Sequence, residues 1–90
     1  MKITIKDINA VVERINRITN SPASPWTKDG DKYRANVGNY HVDSAYGGHQ
    51  LVRMVNEGGG IEVIIHGYRT KRDLYNLMQA WLSGYTARQS

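Results

Sequence analysis

Ninety residues, 40% of them apolar, suffice for one domain with a thin core spanning residues 1–90, and they exclude a second one. Twelve Lys and Arg against eight Asp and Glu leave a formal charge of +4, a bias toward anionic partners that identifies none of them. Cysteine is absent, which excludes disulfide stapling, thiolate nucleophiles and cysteine metal knuckles.

The opening "MKITIKDINAVVERI" alternates charge with apolar residues instead of forming a secretory core, and no apolar run approaches the roughly 18 residues of a membrane span. The expectation is a cytoplasmic protein without a membrane partner. Thr4 followed three residues later by Asp7 forms a capping-box pattern. Ile5, Ile8, Val12 and Ile15, widened by Val11 and Ile18, place apolar side chains on one face of a helix over residues 5–19. Its many β-branched residues lower intrinsic propensity, so packing on a sheet has to stabilise it.

"NSPASPWTKDGDK" breaks the periodicity and reads as a loop over residues 20–31, punctuated by Pro22 and Pro25, with Gly30 suited to a positive-φ turn. Trp26 in this loop is either a lid on the core or an exposed anchor for a partner. From Lys32 the period changes to two. "KYRANV" and "YHVDSAY" read as strands joined by a tight turn at Gly38-Asn39, with Tyr33, Ala35 and Val37 on one side of the first. "QLVRMV" follows after Gly47-Gly48, and "IEVIIH" completes a sheet region over residues 32–66, as an edge strand or as the third strand of the sheet.

The glycines of "NEGGGIEVII" do not make a phosphate cradle. Such a loop leads into a helix and carries Lys followed by Ser or Thr, whereas this one leads into a β-branched run and is preceded by Glu57. A hairpin connection is expected there, with Gly58, Gly59 and Gly60 more mobile than the flanking strands.

"RTKRDLYNLMQAWLSGY" predicts a helix over residues 71–83 with Thr70 as N-cap, Asp73 in the capping-box position, an apolar face of Leu74, Leu77, Met78, Trp81 and Leu82, and Gly84 as terminator. Residues 86–90 are expected to fray. Arg69, Lys71 and Arg72 oppose the positive end of the helix dipole, an arrangement that an anionic partner would relieve. The sum is an α+β two-layer sandwich of order α-β-β-β-(β)-α, with an antiparallel sheet and both helices on one face. The opposite face should carry His41, Asp43, Arg53 or their neighbours and remain exposed.

This element order, together with "GYRTKRDLYNLMQAWL", resembles the double-stranded RNA-binding domain. That resemblance implies phosphate contacts by Thr70, Lys71 and Arg72, although Gly38 and Asn39 stand where the family has a Pro-His pair. "PWTKDGDKYRANVGNYHVDSAYGGHQLVRMVNEGGG" followed by "RTKRDLYNLMQAWL" resembles small proteins carried by bacteriophages and prophages. The second resemblance implies an accessory role in a bacterial or phage-infected cytoplasm.

For chemistry, His41, Asp43, His49 and His66 with Lys71 could hold a metal or imitate a nuclease, but no diagnostic motif joins them, and no serine lies in a strand-turn-helix elbow with a base to pair. No catalytic residue, metal or cofactor is expected. The first functional reading is a non-enzymatic module that binds a protein, host-encoded or a second copy, through Trp26, Tyr46, Gly58, Gly59 and Gly60. The second is binding of RNA or DNA phosphates through Arg53, Arg69, Thr70, Lys71 and Arg72, with Lys32 nearby and Trp26 stacking on unpaired bases.

Overall fold

The computed structural model describes residues 2–89. Along the chain these form α1 (Ile5–Ile18), β1 (Trp26–Asp29), β2 (Lys32–Ala35), β3 (Tyr40–Ala45), β4 (Gly48–Met54), β5 (Ile61–Arg69) and α2 (Lys71–Gln89). The fold is α+β, with antiparallel strands throughout, and β3, β4 and β5 make a meander in that order.

Helix α1 starts as its capping box dictates. The Thr4 hydroxyl accepts from the Asp7 amide at 3.2 Å, and the Asp7 carboxylate accepts from the Thr4 amide at 2.8 Å. Those hydrogen bonds, the one from the Thr4 backbone first, hold the Asp7 carboxyl below its ordinary range. Ile8, Val11 and Ile15 of α1 meet Leu74, Met78 and Leu82 of α2 above Leu51 and Ile65 of the sheet, so both helices share one face and one core. Asn16, which carries no hydrophobic signal, is also buried: its side chain donates to the Tyr40 carbonyl at 3.0 Å and accepts from the Tyr40 amide at 2.8 Å. It docks α1 on the edge strand β3 as a neighbouring strand would.

Four expectations need correction. Residues 20–31 are not all loop: β1 pairs with β2 through a two-residue turn at Gly30-Asp31, where Gly30 has φ +64. All four β1 residues are exposed, so the strand shows no inward alternation that the sequence could have revealed. The turn at Gly38-Asn39 does not join paired strands either. Gly38, at φ +98, donates to the Met54 carbonyl, and the buried Asn39 accepts from the Met54 amide while its side chain donates to the Pro22 carbonyl. These bonds carry the chain from the small hairpin into the main sheet and leave Tyr33 and Val37 exposed.

Helix α2 also runs past Gly84 to Gln89, so residues 86–89 are helical and not frayed; Ser90 lies outside the described residues. Gly84 has no positive φ and caps nothing, while Tyr85 stacks on Trp81 at 5.4 Å and the Thr86 hydroxyl donates to the Leu82 carbonyl. Finally, Arg53 does not share a face with His41 and Asp43. It stands opposite Tyr40 in the register, with its guanidinium 5.9 Å from the Tyr40 ring centroid, whereas His41 stands opposite the buried Val52.

Candidate functional site

Strand β5 feeds directly into α2, so Arg69, Thr70, Lys71 and Arg72 arrive together at one end of the sheet. The Thr70 hydroxyl accepts from the Asp73 amide at 3.1 Å, the N-cap contact expected of it. Arg69 is committed within the protein: one guanidinium nitrogen pairs with Asp73 at 2.9 Å and another donates to the His66 carbonyl at 2.9 Å. Lys71 is half-buried, and Arg72 is exposed.

Helix α1 begins at this same end. Ile3 lines one hollow with Arg72, Tyr75 and Asn76, and Asp7, Ala10 and Arg14 line the next with Tyr75 and Gln79. The two helices therefore run side by side in the same sense. Their starts bring Lys2 and Lys6 to the end that holds Arg69, Lys71 and Arg72, where both macrodipoles present their positive poles. The acids nearby are already engaged, Asp7 by Thr4 and Asp73 by Arg69.

The β3–β4 turn completes this end. Its two central residues, Tyr46 and Gly47, have φ of 53° and 75°, the double positive φ of a type I′ hairpin. Tyr46 is 96% exposed, and its ring meets the edge of Tyr68 at 5.5 Å with an interplanar angle of 68°. Tyr68 is fixed in turn: its hydroxyl donates to Asp43 at 2.9 Å, and Gln50 donates to the same carboxylate oxygen at 3.1 Å. The bond to Asp43 raises the Tyr68 phenol above its ordinary value. Gly48 lies against the Tyr68 backbone so closely that a β-carbon there would sit 2.5 Å from the Tyr68 carbonyl carbon.

The other candidates are distributed elsewhere. Trp26 and Gly58–Gly60 come together at the far end of the sheet, where the indole covers Gly59 and is 44% exposed. The glycine turn is closed by hydrogen bonds, from the Gly60 amide to the Asn56 side chain at 2.9 Å and from the Val55 amide to the Gly60 carbonyl at 2.9 Å. Tyr46 is separated from this group by the length of β4, roughly 20 Å. Arg53 is likewise remote from the helix starts, since Tyr40 beneath it packs on Trp81, roughly 15 Å along α2 from Lys71.

The histidines do not converge. His41, half-buried and bonded to the Asn39 side chain at 3.2 Å, lies on the sheet face opposite to His49, and burial lowers its pKa despite the nearby Asp43. Among the described residues no group of three or more His, Asp or Glu side chains could hold a metal ion. One pairing does correct the sequence reading: Ser44 and His49, directly opposite in the register, place hydroxyl and Nδ1 2.7 Å apart. Ser44 is exposed, and among the described residues no carboxylate bonds to this histidine, so the pair lacks the orienting group that activates a serine.

The sequence marked Arg69–Arg72 through helix-start chemistry but missed Tyr68, Gln50 and the convergence with Lys2 and Lys6. The readable signal was "YGG" between two alternating runs, which marks the meander's first turn better than "GN" does. Among the described residues no helix is long and apolar enough to cross a membrane. Comparison with protein-family models, with curated proteins and with solved structures gives no match.

Proposed function

We propose that this chain is a non-enzymatic module that binds the phosphate backbone of nucleic acid at the end where both helices begin. The observation that carries the reading is the convergence of Lys2, Lys6, Arg69, Lys71 and Arg72 on two parallel helix starts. Cations at those positions oppose the helix dipoles, and phosphates placed there satisfy cations and dipoles together. Lys71 and Arg72 are the principal contacts, and Arg69 acts mainly by holding Asp73 and the chain entry in place. The resemblance to double-stranded RNA-binding domains supports the same residues, and the resemblance to phage-carried proteins supports an accessory role in a bacterial cytoplasm.

The test is a titration with duplex RNA, duplex DNA and single strands at low and near-physiological salt, using wild type and the Lys71→Ala plus Arg72→Ala variant. Binding that weakens with salt and falls in the double variant supports the reading. A folded wild type that binds none of them at low salt removes it.

A second reading, capture of a protein partner, rests on the opposite end. There Trp26, Tyr33, Val37, Val55 and Ile61 are all exposed around the glycine turn, with Tyr33 at 66%. Size-exclusion chromatography over a range of concentrations, with a pull-down from host lysate by wild type and Trp26→Ala, tests it. A strict monomer with no partner sensitive to Trp26 rules it out.

A further inference from the structure

We infer that Tyr46 is a stacking platform for an unpaired nucleobase, so that the preferred ligand of this end is single-stranded nucleic acid; this rests on the phosphate-binding reading above. The sequence places an aromatic side chain where the backbone least favours one. Both central residues of the β3–β4 turn have positive φ, a geometry suited to Asn-Gly and unfavourable for a bulky residue. The ring obtains little burial in exchange, being 96% exposed.

What it does obtain is orientation. Its edge contact with Tyr68 is backed by the bonds from Tyr68 and Gln50 to Asp43 and by the close seat of the Tyr68 backbone on Gly48. Beside that contact nearly the whole ring stays open to solvent, one residue before Gly47 and at the end of the sheet where β5 delivers Arg69 to α2. Tyr46, like Tyr68 and Asp43, lies on the sheet face away from the helices but at the same end of the sheet as the start of α2, so a single strand passing over that end stacks a base on the ring and brings phosphates further along to Lys71 and Arg72. A duplex keeps its bases stacked on one another and offers nothing to Tyr46. Trp26, the other exposed aromatic residue considered for stacking, lies at the wrong end of β4 for this role.

The discriminating variant is Tyr46→Asn, because Asn-Gly is the favoured sequence for this turn and the fold should be at least as stable as wild type. Fluorescence anisotropy is measured with oligo-dT and oligo-U single strands of about 16 nucleotides and with a duplex of the same length. Affinity for single strands should fall by about tenfold in Tyr46→Asn, within the range for one stacked base, and be retained in Tyr46→Phe, which keeps the ring. Duplex affinity should change less than about twofold in either variant, whereas Lys71→Ala plus Arg72→Ala weakens both ligands. If wild type binds single strands and Tyr46→Asn binds them equally well, the stacking inference is overturned and the phosphate reading stands. If Tyr46→Asn weakens duplex and single strand alike, Tyr46 is not reading an unpaired base. Failure of wild type to bind any of these ligands overturns both.

Discussion

Replacing glycine by alanine should have opposite consequences at two positions of this chain. At Gly48 the new methyl group would stand 2.5 Å from the Tyr68 carbonyl carbon and 2.6 Å from its oxygen, about 0.9 Å inside the 3.4 Å at which ordinary contact begins. Both atoms are backbone, so no side-chain rotation relieves the clash; β4 and β5 must part where His49 pairs with Arg69. Overpacking of this kind costs about 1–3 kcal/mol, and the rigid backbone puts the expected loss near the upper end of that range. At Gly84 nothing lies within 4 Å of the added carbon and the residue sits inside α2, so alanine should stabilise by about 0.5–1 kcal/mol. The loss of unfolded-chain entropy is common to both substitutions and cancels in their difference. With an m-value of about 1 kcal/mol/M in urea, the midpoint should fall by about 2–3 M for Gly48→Ala and rise by about 0.5–1 M for Gly84→Ala. Equal shifts in the same direction, or a Gly48→Ala midpoint at the wild-type value, would refute the strand contact on which the Tyr46–Tyr68 platform rests.

Other consequences follow from single contacts. Asn16→Ala should cost about 1–3 kcal/mol by urea unfolding, because it strips both partners from the Tyr40 peptide groups at a buried position. Thr4→Ala should cost about 1 kcal/mol through the lost N-cap, and the Asp7 carboxyl should move back toward its ordinary range when followed by NMR titration. His41 should titrate below the ordinary imidazole value of about 6.5, since burial disfavours its cation. The unfolded chain then takes up this proton more readily. The contribution is therefore fully present above about pH 6.5 and is lost as pH falls from there toward the folded pKa. His41→Gln should flatten that part of the stability profile, and an unchanged profile would show that His41 is not its source.

The two helices were legible because Ile8, Val11 and Ile15, and then Leu74, Met78 and Leu82, recur at spacings that only one helical face reconciles. Strands β3 to β5 were legible from alternation between glycine turns. Strand β1 was not, because a strand exposed at every residue has no inward-outward pattern to read; only the Gly30 turn betrays it. Gly84 misled for a different reason: glycine ends a helix when it adopts positive φ, and here the stacking of Tyr85 on Trp81 keeps the helix going. For the site, Arg69–Arg72 could be read locally as cations at a helix start. Their meeting with Lys2 and Lys6 depends on the parallel packing of helices far apart in sequence, and no local pattern encodes it. Tyr46 was seen as an aromatic residue near glycines, yet its orientation depends on Tyr68, Asp43 and Gln50, which lie on three strands.

The most direct test of phosphate binding at the helix starts is the salt dependence of the single-strand association constant for wild type and the Lys71→Ala plus Arg72→Ala variant. Each phosphate contact contributes about −0.7 to the slope of log K against log salt for single strands. Wild type should show a linear, negative slope that becomes shallower by about 1.4 when those two cations are removed. A slope that the double variant leaves unchanged, or wild-type binding indifferent to salt, would contradict phosphate binding there.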